Sequence, residues 1–156
     1  MRRQINAALS DARQDALEAM RLVRTHARDW KLAPNRIGMV GFSAGALTTI
    51  SVVQNADPST RPDIVAPIYG SLFGDRHIPT SAPPAFIAAA ADDASVSPAD
   101  VLDVFKAWRT AGAPVELHIF ESGLHGFGTR HLGKSSDIWL AVFDHWLAQH
   151  GFEPGQ

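Results

Sequence analysis

The stretch Arg36-Ile37-Gly38-Met39-Val40-Gly41-Phe42-Ser43-Ala44-Gly45 decides how this chain folds. Its first seven residues, Arg36–Phe42, are short and mostly apolar, the composition of a strand buried on both faces. Beyond Ser43 a helix is expected from Ala44 to about Gln54, with Leu47 and Ile50 turned inward. Gly41-Phe42-Ser43-Ala44-Gly45 lies across the junction and has the form Gly-x-Ser-x-Gly. A serine between strand and helix sits on a tight, strained turn that lifts its hydroxyl above the sheet. Both glycines are expected to be needed because side chains there would meet neighbouring backbone. The helix N-terminus favours developing negative charge, which makes the N–H of Ala44 a candidate oxyanion donor. Chance supplies only about 0.05 such patterns in a chain of this composition, and this one falls where the chemistry requires it.

Upstream, Leu9, Ala12, Ala16, Met20, Val23, Ala27 and Trp30 recur three or four apart. They mark one face of a long amphipathic helix, which Ser10 or Asp11 could cap. Downstream, Ile64–Tyr69 reads as a second buried strand and 70–84, rich in Gly, Pro and Ser, as a loop. The run 85–91 is rich in alanine, which prefers helix. Pro83-Pro84 before it and Asp92-Asp93 after it decide for a strand. Ser97-Pro98-Ala99-Asp100 has the form of a capping box with proline at the first helical position, and Gly112 ends that helix. A fourth strand covers Val115–Phe120. A last helix starts near Ser135 or Ser136, buries Ile138, Trp139, Val142, Phe143 and Trp146, and stops at Gly151. This alternation predicts an α/β three-layer sandwich: a short, mostly parallel sheet with helices on both faces, forming one domain over 1–156.

Composition narrows the function. The 156 residues carry a net charge of −2, which speaks against a nucleic-acid or anionic-membrane partner. There are no cysteines, so disulfides and thiolate nucleophiles are excluded. No histidine pair has convincing metal-ligand spacing, and no metal is expected. The opening Met-Arg-Arg is not followed by an apolar stretch, and no segment is apolar enough to span a membrane. A cytoplasmic location is the default expectation.

In such sheets ligands bind at the carboxyl ends of the strands. The loops beginning at Ser43, Asp92 and Glu121 emerge there. A serine hydroxyl needs a base to take its proton, and His125 in the glycine-rich segment 121–128 is the candidate. The base in turn needs a carboxylate to hold its tautomer. Asp92 and Asp93 both follow the third strand; Asp93 is favoured in its Asp-x-x-Val setting, with Asp92 pointing away or capping the turn. Phe42, Ser71 and Phe127 are candidates for contacting the substrate. His118 reads as a packed or edge residue, and His26, His145 and His150 as solvent-facing helix residues. His77 and His131 lie in loops, where either could line a pocket. The tryptophans at 30, 108, 139 and 146 read as core.

Four blocks, in order, carry a resemblance: 36–45, Ala90-Ala91-Asp92-Asp93 with Val96, Val115–Phe120, and His125-Gly126-Phe127-Gly128. Together they resemble the acetyl-esterase and xylan-esterase branch of the α/β-hydrolases, with dienelactone-hydrolase-like proteins as close relatives. The order Ser, Asp, His is that of the fold. The resemblance runs from about Asp11 to Phe152 and implies Ser43 as nucleophile, Asp93 as acid and His125 as base, acting on short acyl esters without a cofactor.

The chain also departs from that pattern. Such proteins normally begin with further strands and a helix, including a His-Gly-Gly-Gly-type loop that supplies oxyanion donors. No His-Gly-Gly stretch occurs here, and Ala46 stands where a second glycine is common. The strand 36–42 then becomes a sheet edge, which invites pairing with another chain; a homodimer or higher oligomer covering that edge is expected. Losing one oxyanion donor typically costs about 10²–10³ in turnover, unless the Gly70–Phe73 loop or a partner chain replaces it. A serine esterase acting on a small-molecule ester is therefore the leading expectation. The alternatives are a truncated, catalytically weak or inactive hydrolase-like module, and a peptidase or lactone hydrolase using the same triad.

Overall fold

The computed structural model describes residues 2–152, with side chains from residue 6 onward. Four strands form one parallel sheet in sequence order: β1 (Gly38–Phe42), β2 (Ile64–Ile68), β3 (Ala85–Ala90) and β4 (Val115–Phe120). Gly38 pairs with Ile64 and Phe42 with Ile68; Ala85 pairs with Val115 and Ala90 with Phe120. The sheet is thus wholly parallel. Every residue of β2 and β3 is buried, while β1 and β4 are the edges.

The alanine run resolves as a strand despite its helical propensity. Pro83 and Pro84 cannot donate ladder bonds, so the chain enters extended, and Ala85–Ala90 then pair on both sides. Small side chains let helices approach this strand closely.

Helix α1 (Arg2–His26) starts earlier than its apolar stripe suggested, so Ser10 and Asp11 lie inside it rather than capping it. Met20, Val23 and Ala27 pack with Ile37 in a small cluster under the start of β1. Arg24 locks that end by donating to the carbonyls of Pro34 and Arg61 and pairing with Asp63 at 3.1 Å. Trp30 is corrected: it lies beyond the helix, 51% exposed, stacked on His26 rather than in the core.

Helix α2 (Ala44–Asn55) links β1 to β2, and α3 (Pro98–Ala111) links β3 to β4. Right-handed crossovers running across the sheet in one direction place both on the same face. The α3 boundaries are those of the sequence reading: the Ser97 hydroxyl accepts from the Asp100 N–H at 3.2 Å, and Gly112 closes the helix at φ 76°. Trp108 is fully buried and donates to the Pro83 carbonyl at 3.0 Å.

Helix α4 (Trp139–Gln149), preceded by a 3₁₀ turn over Ser135–Ile138, packs against Phe86 through Phe143 and Trp146. Trp139 and Trp146 are buried. Ile138 is a second correction: it belongs to the 3₁₀ turn and is 60% exposed, because the core-facing stripe begins only at Trp139. His118 stacks on Phe86 and meets Glu116 at 2.7 Å on the edge strand. None of the described helices is long and apolar enough to cross a membrane.

Candidate active site

The strand ends converge at the carboxyl edge of the sheet. The Ser43 N–H donates to the Ile68 carbonyl at 3.0 Å, so β1 stays paired up to the turn. Ser43 itself is held at φ 54° and ψ −117°, a conformation costly for a residue with a side chain. The sharp turn demands it. A Cβ on Gly41 would lie 2.1 Å from the Gly45 carbonyl oxygen and 2.3 Å from the Thr49 hydroxyl. Gly45 is different: a Cβ there meets nothing within 4 Å. The reading that both glycines avoid a clash is corrected to Gly41 alone. Ala46 finds room because residue 70 is glycine; a Cβ on Gly70 would come within 2.4 Å of that of Ala46.

Ser43 Oγ lies 2.8 Å from His125 Nε2, and His125 Nδ1 lies 2.8 Å from Asp93 Oδ2. The other oxygen of Asp93 accepts the N–H groups of Ser95 and Val96 at 2.7 and 2.9 Å. Burial raises the Asp93 pKa, but the bonds from Val96, His125 and Ser95 outweigh it and hold the carboxyl below its ordinary value. Asp93 therefore stays ionised beside the imidazole. Asp92 faces elsewhere, as alternation at a strand end requires. Its Oδ1 accepts the N–H groups of Gly123 and Leu124 at 2.8 and 2.7 Å.

Around this line the loop carrying His125 is closed on itself. Ser122 and Ser135 exchange hydrogen bonds, Asp137 accepts the N–H groups of Leu132 and Gly133, and Trp139 donates to the Gly128 carbonyl at 2.7 Å. Ala44 opens α2, so its N–H has no acceptor within the helix and is free for an oxyanion.

The three residues expected to contact substrate separate. Phe42 is exposed at the end of β1, edge-on to Trp139. Ser71 is partly exposed just beyond β2. Phe127 is corrected: it is 1% exposed, packed between Tyr69 and Trp139, and supports the site from below. Tyr69 was not singled out from sequence. It follows β2 with φ 40°, and its ring stands edge-on to that of His125 at 5.2 Å. Burial raises its pKa. Its position at a strand end beside the serine turn was the available signal.

With this geometry in place, comparison with known proteins places the chain. The family model described as dienelactone hydrolase matches residues 1–152. An acetylxylan esterase of Xylanibacter ruminicola is 28% identical over 166 residues; the match covers 85% of this chain and 34% of that protein. The chain thus spans about a third of the curated relative. An acetyl ester-xyloside bifunctional hydrolase from Caldicellulosiruptor lactoaceticus superposes with a TM-score of 0.73 at 27% identity, over 91% of this chain and 66% of that one. An α/β hydrolase from a Medee basin deep-sea metagenome library gives a TM-score of 0.78 at 23% identity, over 88% of this chain and 63% of its own length, and supports the fold alone. A four-stranded parallel α/β sheet with this match over nearly its whole length makes the chain a member of the dienelactone hydrolase family.

Proposed function

We propose that this chain hydrolyses short-chain carboxylic esters through an acyl-enzyme on Ser43. The observation carrying this reading is the unbroken hydrogen-bonded line from Ser43 through His125 to Asp93. As Ser43 Oγ attacks the ester carbonyl carbon, His125 Nε2 takes the hydroxyl proton and the carbonyl π pair moves onto oxygen, where the Ala44 N–H meets it. Collapse expels the alcohol oxygen, which takes the proton from Nε2. Water then gives a proton to Nε2 and attacks the acyl carbon, and Oγ leaves with that proton. Asp93 remains ionised and holds the Nδ1–H tautomer throughout.

Ser43 and His125 are both partly exposed, and an open pocket for small acyl groups belongs to this reading. An acetylated sugar is the favoured substrate class, since the curated relative is an acetylxylan esterase. A second oxyanion donor from the Gly70–Phe73 loop or from a partner chain belongs to the same proposal. So does a second copy of the chain over the free edge of β1, where Val40 and Phe42 are exposed. That open edge beside the nucleophile also favours one alternative, a weak or inactive hydrolase-like module. Burst and steady-state turnover of p-nitrophenyl acetate by the wild type and Ser43→Ala decides between them. Turnover that depends on Ser43 is expected; equal rates overturn the esterase reading.

A further inference from the structure

Asp92 and Asp93 are consecutive, yet Asp93 holds the base and Asp92 the backbone that leads into it. Asp93 grips the imidazole, while Asp92 accepts the N–H groups of the two residues just before it, Gly123 and Leu124. Leu124 is held at φ 61°, in the left-handed region that a branched side chain avoids. Gly123 presses against the end of β3; a Cβ there would lie 2.9 Å from that of Ala90. On the far side of His125, Arg130 caps the carbonyls of Gly126 and Phe127. Between these anchors the N–H groups of residues 123 and 124 both end on one carboxylate oxygen.

We propose that Asp92 is a positioning residue for the base: it pays for the strained turn at Leu124 and so sets the height at which His125 spans Asp93 and Ser43. The inference rests on the esterase reading and assigns Asp92 a part in it. Its carboxyl is held below its ordinary value, chiefly by the Leu124 N–H against a smaller burial effect, then by the Gly123 N–H and the charge of Lys134. The clamp is therefore charged and charge-assisted at neutral pH. Without the acceptor, Leu124 relaxes from its left-handed turn and carries His125 off line. A displacement of about 1 Å in such a group can cost 10²-fold in rate.

The test compares the wild type, Asp92→Ala and Asp92→Asn. For Asp92→Ala, kcat on p-nitrophenyl acetate falls about 10–100-fold with KM within about twofold. The Gly123 and Leu124 amides exchange faster, and the downfield Nδ1 proton resonance of His125 weakens. Asp92→Asn, whose side-chain oxygen accepts the same two N–H groups, recovers most of the lost kcat. Wild-type kcat in Asp92→Ala despite released amides overturns the proposal. So does loss of activity that merely follows a fall in Tm and faster exchange across the whole sheet. If Ser43→Ala turns over as fast as the wild type, the esterase reading has failed instead. The His125 resonance then decides the clamp alone: retained intensity in Asp92→Ala overturns it.

Discussion

At Ser43 the backbone holds a conformation that a glycine adopts without strain, so chemistry and stability pull against each other. Relief of such strain is worth about 1–3 kcal/mol, less roughly 0.5–1 kcal/mol for the added freedom of glycine when unfolded. Ser43→Gly is therefore expected to be inactive yet about 1 kcal/mol more stable, as read by the urea midpoint; an unchanged or lower midpoint counts against stored strain. At Asp93 the shape can be kept while the charge is removed. Asp93→Asn fits the same bonds from Ser95 and Val96 but favours the wrong imidazole tautomer, and kcat is expected to drop about 10⁴-fold. Stability follows the sign of the shift. A carboxyl depressed on folding contributes stability above its ordinary value of 3.8 and loses it as pH falls through the depressed one. Urea midpoints should fall less steeply with acid in Asp93→Asn than in the wild type, with the remaining slope coming from Asp57, Asp92, Asp103 and Asp137, which are depressed likewise.

The turn between β1 and α2 separates its two glycines. Gly41 lies where the strand passes under the first turn of the helix, and an added methyl would run into backbone at Gly45. Gly41→Ala is expected to cost about 2 kcal/mol or more, in the range of other overpacked positions, and to reduce turnover through displacement of Ser43. Gly45→Ala meets open space in the first turn of α2 and should leave stability within about 0.5 kcal/mol of the wild type. Denaturant unfolding of the pair checks both, and equal effects would contradict the geometry.

On the scale of the molecule, the sheet is lopsided. β2 and β3 are covered throughout, and β4 is partly covered, but β1 pairs only with β2 and leaves Val40 and Phe42 exposed on the strand that leads into Ser43. Natural sheets rarely leave an apolar strand edge open. Under the proposed self-association, light scattering at micromolar concentration should return a dimer or larger species, and Val40→Lys should shift it toward monomer. A wild-type monomer would remove the proposal.

Much of this architecture is legible in the sequence, because it rests on local rules. Period and punctuation placed four strands and the capped α3, and the Gly-x-Ser-x-Gly pattern located the turn at a strand–helix junction. The order of Ser43, Asp93 and His125 along strand ends was enough to nominate all three. What failed locally was burial at element boundaries: Trp30 and Ile138 keep apolar spacing but fall outside the helices that would have turned them inward. Phe127 lies two residues from His125 in sequence yet points into the core, because the loop doubles back on itself and Trp139 ties down Gly128. The sequence favoured Asp93 over Asp92 as the partner of His125, but did not show which groups Asp92 would hold. Only the fold brings residues 123 and 124 to one carboxylate and the His125 ring to its neighbour, because those contacts join chain segments some thirty residues apart across two strand ends, a distance that propensity and periodicity do not span.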